Sequence, residues 1–205
     1  MLDPTAFGYA GFHFSWGDHI LGIFDNRDQQ MRIMANFVAN GLRAVQRCVW
    51  AGPPESADRL RQSLAEIGGD LPTLEASDQL VIVSDVEFYR RKGVFDSRAT
   101  MSLLSTLLTD GRSQGYSTMR IATDVSWLRD DPVDAELWER FEVELTHEVA
   151  PLPVVLVCQY DRFQLPGDIV AAALRTHPVI LMGERIRQNP RYLATAGGAP
   201  PSEIM

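Results

Sequence analysis

The stretch Val154-Val155-Leu156-Val157-Cys158 is apolar at every position, which is typical of a β-strand that is covered on both faces. Such strands occur mostly in parallel sheets, because the helices that connect parallel strands pack on both sides of the sheet. Further runs along the chain share this pattern. We predict six strands, at residues 19–24, 48–51, 80–84, 119–123, 154–159 and 179–182.

Amphipathic helices are predicted between these strands. Residues 26–47 carry an apolar residue at three- and four-residue spacing, which places the apolar side chains on one helix face. Similar spacing predicts helices that begin near residues 54, 98, 133 and 166. A strand followed by a helix, repeated five times, predicts a three-layer α/β/α fold with a mostly parallel central sheet.

One domain is predicted for the 205 residues, because no long linker divides the chain. We place this domain at residues 17–193. An N-terminal extension rich in glycine and aromatic residues precedes it at residues 1–16, and a tail of small residues follows at 194–205. The tail is expected to be flexible.

The balance of charged residues disfavours several classes of function. The chain has 19 Lys and Arg against 27 Asp and Glu, a net charge of −8, so we expect no direct binding of nucleic acid. Lys92 is the only lysine, which disfavours catalysis through a lysine. We recognise neither a signal peptide nor a membrane-spanning run, and both cysteines lie in apolar runs, so we expect a cytoplasmic protein that does not bind membranes.

Several short segments follow one another in the order found in a family of sensory domains. They are Gly17-Asp18-His19-Ile20, Phe37-Val38-Ala39-Asn40-Gly41-Leu42, Arg47-Cys48-Val49-Trp50, Gly115-Tyr116, Ser126-Trp127, Cys158-Gln159-Tyr160-Asp161 and Arg175-Thr176-His177-Pro178. Through these segments the chain resembles the MEDS domain, named for methanogen/methylotroph DcmR sensory proteins. The resemblance extends over about residues 17–192.

The resemblance implies a fold related to the RecA/KaiC-type ATPases in which the phosphate-binding loop (Walker A) has been lost. The segment after the first predicted strand agrees, since residues 24–30 contain neither the glycines nor the lysine that hold a triphosphate. By the same resemblance, Asp124 stands at the place of a magnesium-binding aspartate. We therefore expect no enzyme activity and no cofactor, and nucleotide binding or weak ATP hydrolysis is the alternative.

The carboxyl ends of the predicted strands are the expected place for a ligand, because loops and helix N-termini form a crevice at this edge of a parallel sheet. Aromatic rings with a few polar groups suit a small ligand that is partly apolar or aromatic. With a histidine that matches the family pattern, the predicted ligand-binding residues are His19, Phe24, Trp50, Asp124, Trp127, Gln159 and Tyr160. Packing between helix and sheet is the alternative role for each aromatic residue, and a hydrogen bond to the backbone is the alternative for the histidine.

Neither a catalytic group nor a metal site is predicted. The four histidines are scattered, and His13 and His19, which are six residues apart, have no further histidine or cysteine at ligand spacing, so a zinc site is not expected. Cys158 is interpreted as a core residue and His177 as a turn residue before Pro178. If the sheet brings His19 and His177 together, they can line a cleft.

We therefore expect a non-catalytic sensory or regulatory domain that binds a small molecule and signals to a separate protein. The resemblance implies that the partner is a histidine kinase or an anti-sigma-type regulator, within a system that controls transcription. A protein–protein adaptor with a vestigial cleft is the structural alternative. Homo-oligomerisation is left open.

Overall fold

A computed structural model describes residues 13–193 of the chain. The tail and most of the predicted N-terminal extension lie outside these residues. The strands are β1 (His19–Phe24), β2 (Arg47–Gly52), β3 (Leu80–Ser84), β4 (Arg90–Arg91), β5 (Val94–Phe95), β6 (Met119–Asp124), β7 (Val154–Asp161), β8 (Val179–Met182) and β9 (Arg185–Gln188). The α-helices are α1 (Arg27–Arg43), α2 (Pro54–Glu66), α3 (Leu71–Ala76), α4 (Asp85–Tyr89), α5 (Ser97–Ser113), α6 (Ala135–Val149) and α7 (Gly167–Thr176), and a 3-10 helix spans Ser126–Arg129.

The main sheet has seven strands in the order β3-β2-β6-β7-β1-β8-β9, and β4 and β5 form a separate hairpin. All neighbouring pairs in the main sheet are parallel except β8 and β9. With helices on both faces, this confirms the predicted three-layer α/β/α fold. None of the helices in residues 13–193 combines the length and the apolar character needed to cross a membrane.

The six predicted strands are all present. Prediction missed the short elements, namely α3, α4, the β4–β5 hairpin, the 3-10 helix and β9. These segments have two to six residues, which is too few for a period of 2.0 or 3.6 residues to be recognised.

The sheet separates two hydrophobic cores. The side chains of α1 and α2 pack with those of one face of the sheet, and the side chains of α5, α6 and α7 pack with those of the other face. Because successive side chains of a strand point to opposite faces, Val157 and Cys158 belong to different cores.

The parallel strands end together at one edge of the sheet. Only Asp25 and Asn26 separate the end of β1 from the first turn of α1. The Asn26 side chain accepts the backbone N–H of Gln29 at 2.9 Å, which satisfies one of the N–H groups that a helix start leaves free. His19 lies at the other end of β1, where its register partner on β7 is Leu156.

Candidate functional site

A crevice opens at the carboxyl ends of β2, β3 and β6. Its volume is about 580 Å³, within the range of roughly 300–1,000 Å³ that is typical of small-molecule sites. Most of its lining is charged or polar. The lining residues are Arg27, Pro53, Glu55, Ser56, Asp85, Arg90, Ser126, Trp127, Arg129, Asp130 and Asp131.

Trp127 is the aromatic residue in this lining. It belongs to the 3-10 helix, whose first residue, Ser126, donates its backbone N–H to Oδ1 of Asp124 at 3.0 Å. The guanidinium of Arg90 lies 4.6 Å from the centroid of the Trp127 ring, in cation–π contact. The indole Nε1 of Trp127 is buried and has no hydrogen-bond partner in the part of the chain that the structure describes.

Arg90 fixes the shape of the crevice. Its guanidinium pairs with Asp85 at 2.8 Å and with Asp131 at 3.2 Å. Asp85 begins α4, and this short helix is held by a capping box in which the Ser84 and Glu87 side chains each bind the other residue's backbone N–H. Arg90 therefore links the end of β3 to the loop that follows the 3-10 helix.

Asp124 and Gln159 are register partners on β6 and β7 beside this crevice. Burial raises the pKa of Asp124 above its ordinary value, while hydrogen bonds from Ser126 and Ser56 act in the opposite direction. A small cavity of about 20 Å³ reaches Asp124 and shares two lining residues with the crevice. The Gln159 Oε1 atom accepts an N–H from Gln30 at 3.0 Å.

The other four residues predicted to bind a ligand lie elsewhere. Phe24 and Trp50 are buried in the core beneath α1 and α2, where the Trp50 Nε1 donates to the Ser56 hydroxyl at 3.3 Å. Tyr160 belongs to the opposite core, and His19 begins β1 at the far end of the strand from the crevice. The structure thus places Trp127 in the crevice lining and Asp124 and Gln159 at the adjoining strand ends, whereas the other four side chains are buried in the cores or, for His19, at the opposite end of the sheet.

A second group of polar residues is completely enclosed beneath the sheet, on the side of α6 and α7. It consists of His19, Glu142, Cys158 and His177, which we call the buried cluster. One ligand-type atom from each residue can be chosen so that all four atoms lie within 4.8 Å of one another. The two histidines are 158 positions apart in the sequence, yet their ring centroids are 4.0 Å apart.

The two histidine rings are oriented by hydrogen bonds through their Nδ1 atoms. Nδ1 of His177 lies 2.9 Å from the carbonyl oxygen of Ala173, which can only accept, so this nitrogen carries the proton when the ring is neutral. Nδ1 of His19 lies 2.7 Å from the Thr146 hydroxyl, whose oxygen is also within 2.9 Å of two carbonyl oxygens. The hydroxyl proton goes to a carbonyl, so we assign the proton of His19 to Nδ1 as well.

Glu142 is held by a chain of hydrogen bonds. The Tyr160 hydroxyl donates to Oε1 of Glu142 at 2.5 Å and accepts the indole N–H of Trp138 at 2.9 Å. The other carboxyl oxygen, Oε2, faces the two imidazoles, at 3.4 Å from Nε2 of His19 and 3.6 Å from Nε2 of His177. The sulfur of Cys158 lies 3.2 Å from Nε2 of His19.

Burial favours the neutral form of each of these groups. Loss of solvation raises the pKa of Glu142 to about 8 and lowers the pKa of His177 to about 4. It also lowers the pKa of His19, with a further contribution from His177, and raises the pKa of the Cys158 thiol. All four shifts are toward the neutral form of the group.

Sequence reasoning missed Glu142, although the sequence contains a signal for it. Trp138, Phe141, Leu145 and Val149 form the buried face of α6, and Glu142 lies on the same face at helical spacing. A carboxyl group among apolar residues on a core-facing helix needs a partner, because an isolated buried charge is costly. The partners come from β1, β7 and the α7–β8 junction, and no helix pattern could reveal them.

One known protein family matches most of the chain. A family model described as MEDS, "MEthanogen/methylotroph, DcmR Sensory domain", matches residues 18–178. That range contains the crevice and all four residues of the buried cluster. No curated protein matches the chain.

Proposed function

The chain belongs to the MEDS family of sensory domains, and from this membership we propose that it is a non-catalytic sensor that binds a small molecule in the crevice at the carboxyl ends of β2, β3 and β6. The family gives the sensory role. The crevice supports this place of binding, since it has the volume of a small-molecule site at the sheet edge where open α/β folds bind ligands.

The buried Trp127 Nε1 is the observation that carries this proposal. A buried N–H without an acceptor costs free energy, and a ligand whose binding shifts the indole enough to offer an acceptor recovers that cost. The flat indole beside it favours a ligand with a planar or apolar part. The lining also carries positive charges, from Arg27 and Arg129, and negative charges, from Asp130 and Glu55. These charges favour polar groups on the same ligand.

A protein partner is proposed to receive the signal. The net charge of −8 favours a protein over a nucleic acid as receiver, because a polyanion is repelled by an acidic surface. The histidine kinases and anti-sigma-type regulators implied by the family resemblance are the classes to test first, by co-purification with the full chain.

Nucleotide hydrolysis is the less favoured function. The connection between β1 and α1 has two residues, which is too short to wrap around a triphosphate, and the Asn26 side chain already binds an N–H of the first turn of α1. Asp25 and Asp28 add negative charge at this helix start, where a phosphate would have to bind.

A thermal-shift screen of small planar polar compounds tests the proposal. A compound at 100 times its dissociation constant should add about 2.7 kcal/mol to the free energy of unfolding. Arg129→Ala should weaken binding, whereas Arg32→Ala, which removes another exposed arginine that pairs with a carboxylate, should not. Equal affinity of the two variants would place the ligand outside the crevice.

ATP with magnesium belongs in the same screen. We expect neither saturable binding nor turnover. Hydrolysis that Asp124→Asn abolishes would replace the sensory proposal with an enzymatic one.

A further inference from the structure

The buried cluster has the donor set and the spacing of a metal site. In a tetrahedral zinc site with bonds of roughly 2.0–2.3 Å, neighbouring ligand atoms are about 3.3–3.6 Å apart. The separations from His19 Nε2 are 3.2 Å to the Cys158 sulfur and 3.4 Å to Glu142 Oε2, and His177 Nε2 is 3.6 Å from the same oxygen. These three of the six separations are close to the edges of a zinc tetrahedron, and all six are within 4.8 Å.

Two atoms of the cluster lack a hydrogen-bond partner. Among the described residues, Nε2 of His177 and Oε2 of Glu142 are buried without one, and both side chains are completely enclosed. Unsatisfied polar atoms are rare in protein cores and call for a specific explanation. Here the two atoms lie 3.6 Å from each other, so that one cation can contact both.

The surrounding residues hold the ligands as outer-shell groups hold them in known metal sites. Since Nδ1 of each imidazole is engaged by Ala173 or Thr146, the lone pair of Nε2 points into the cluster. Glu142 is fixed in the same way, through the Tyr160 hydroxyl on its other oxygen. A metal-ligating histidine usually donates its second N–H in this manner, which fixes the tautomer and the ring orientation.

Charge balance favours a divalent ion. As metal ligands, the Cys158 thiolate and the Glu142 carboxylate carry one negative charge each, and the two imidazoles are neutral. The thiolate and the carboxylate then neutralise the two positive charges of the ion. A site without net charge avoids the desolvation cost that a completely buried charge would bring.

We propose that the buried cluster binds one Zn²⁺ ion through Nε2 of His19, Oε2 of Glu142, Sγ of Cys158 and Nε2 of His177. A thiolate with imidazoles selects zinc over magnesium or calcium, which prefer oxygen ligands. Four protein ligands leave no position for water or substrate, so the ion is structural. It cross-links β1, α6, β7 and the residue that follows α7, and it is taken up as the chain folds.

The test uses the untagged full chain, unfolded in denaturant with a chelator and refolded with zinc or with the chelator alone. We expect one zinc ion per chain after gel filtration, measured by elemental analysis. Refolding with Co²⁺ should give the intense visible absorption of tetrahedral cobalt and a thiolate-to-cobalt charge-transfer band.

Two pairs of variants identify the ligands. C158A should lose the charge-transfer band, whereas C48A, which removes the other buried cysteine, should keep it. E142Q preserves the shape of the side chain and the acceptor for Tyr160, and should lower zinc affinity by more than about 100-fold, since changing an outer-shell partner alone costs about 10- to 100-fold. E139Q, one turn earlier on the same helix, should leave the affinity unchanged.

Several results would overturn the site. They are a refolded chain with less than a tenth of an equivalent of zinc, equal cobalt spectra for C158A and C48A, or equal zinc affinity for E142Q and E139Q. If C158A does not fold, the glutamate pair decides. If neither variant folds, the wild-type cobalt spectrum decides, because a spectrum without the thiolate band excludes Cys158 as a ligand.

Discussion

Each face of the central sheet buries a polar group beside a cysteine, and the two groups differ in how complete they are. Beneath α1, the guanidinium of Arg120 donates to Gln46 Oε1 at 2.6 Å and to the Phe37 carbonyl at 2.8 Å. It also lies 4.9 Å from the ring centroids of Phe14 and Phe37. Beneath α6 and α7, the buried cluster brings two imidazoles, a carboxyl group and a thiol together, and leaves two atoms without a partner.

The difference is one of donors and acceptors. Arg120 supplies donors to a pocket of acceptors and aromatic rings, and Gly41 makes room for it, because a Cβ there would lie 2.6 Å from the arginine side chain. In the buried cluster, Nε2 of His177 and Oε2 of Glu142 lie 3.6 Å apart and neither has a hydrogen-bond partner among the described residues. We therefore regard the first group as complete without an added ion, whereas the second is completed by the proposed zinc.

Replacing Arg120 should have the largest effect. Arg120→Ala removes a large buried side chain and leaves the oxygens of Gln46 and Phe37 without this donor, so we expect a loss of about 4 kcal/mol in the free energy of unfolding. Urea unfolding with zinc and with a chelator should give the same loss. Arg112→Ala, an exposed control, should cost less than about 0.5 kcal/mol. A loss below about 1 kcal/mol for Arg120→Ala would show that this pocket does not depend on the arginine.

Removing zinc should have the next largest effect, and only on the other face. With free zinc at 100 times its dissociation constant, the ion should add about 2.7 kcal/mol to the free energy of unfolding, a gain that the chelator abolishes. Glu142→Gln should show little response to the chelator in the same urea experiment. If the wild type and this variant respond equally, zinc does not stabilise the fold through the buried cluster.

The hydrogen-bond chain behind Glu142 should contribute somewhat less. Tyr160→Phe leaves the Trp138 N–H and one Glu142 oxygen without the hydroxyl, so we expect a loss of about 2 kcal/mol, measured by thermal or urea unfolding. Tyr116→Phe removes an exposed hydroxyl that donates to the Ser77 carbonyl and should cost less than about 0.5 kcal/mol. Equal costs would mean that the buried chain is no more important than a surface hydrogen bond.

Replacing Glu139, a carboxylate on the surface of α6, should have the smallest effect. The hydrogen bond from Arg175 lowers the pKa of Glu139, so this pair contributes stability above the ordinary glutamate pKa and loses it as the pH falls through the lowered value. Because both side chains are partly exposed, Glu139→Gln should cost less than about 1 kcal/mol at pH 7. In urea unfolding the difference should shrink from pH 5 toward pH 3, and a difference that grows with acid would contradict this account.

Much of the fold could be predicted because its signals are local. The apolar run of β7 and the helical spacing of α5 depend on neighbouring residues alone, and both elements begin within one residue of the predicted start. The antiparallel β9 was missed because Arg185–Gln188 alternates charged and other residues, without an apolar run to mark it. Its pairing with β8 is a tertiary feature at the edge of the sheet.

The candidate sites were predicted less well, and for a different reason. The expectation that a crevice forms at the carboxyl ends of parallel strands was correct, but the direction of each side chain decided which residues line the crevice. Trp127 is in that lining, whereas Trp50 points into the core beneath α1 and α2. No rule based on spacing could join His19 to His177, since they meet only because β1 lies beside β8 in the sheet.

The sequence by itself determined the three-layer α/β fold and the family, because apolar periodicity and short motifs are properties of neighbouring residues. The tertiary structure decided which polar side chains meet. The order of the strands places His19, Cys158 and His177 next to Glu142 of helix α6, and burial favours the neutral form of all four side chains. Proximity in space and removal of water are consequences of the whole fold, and these two effects create the proposed zinc site.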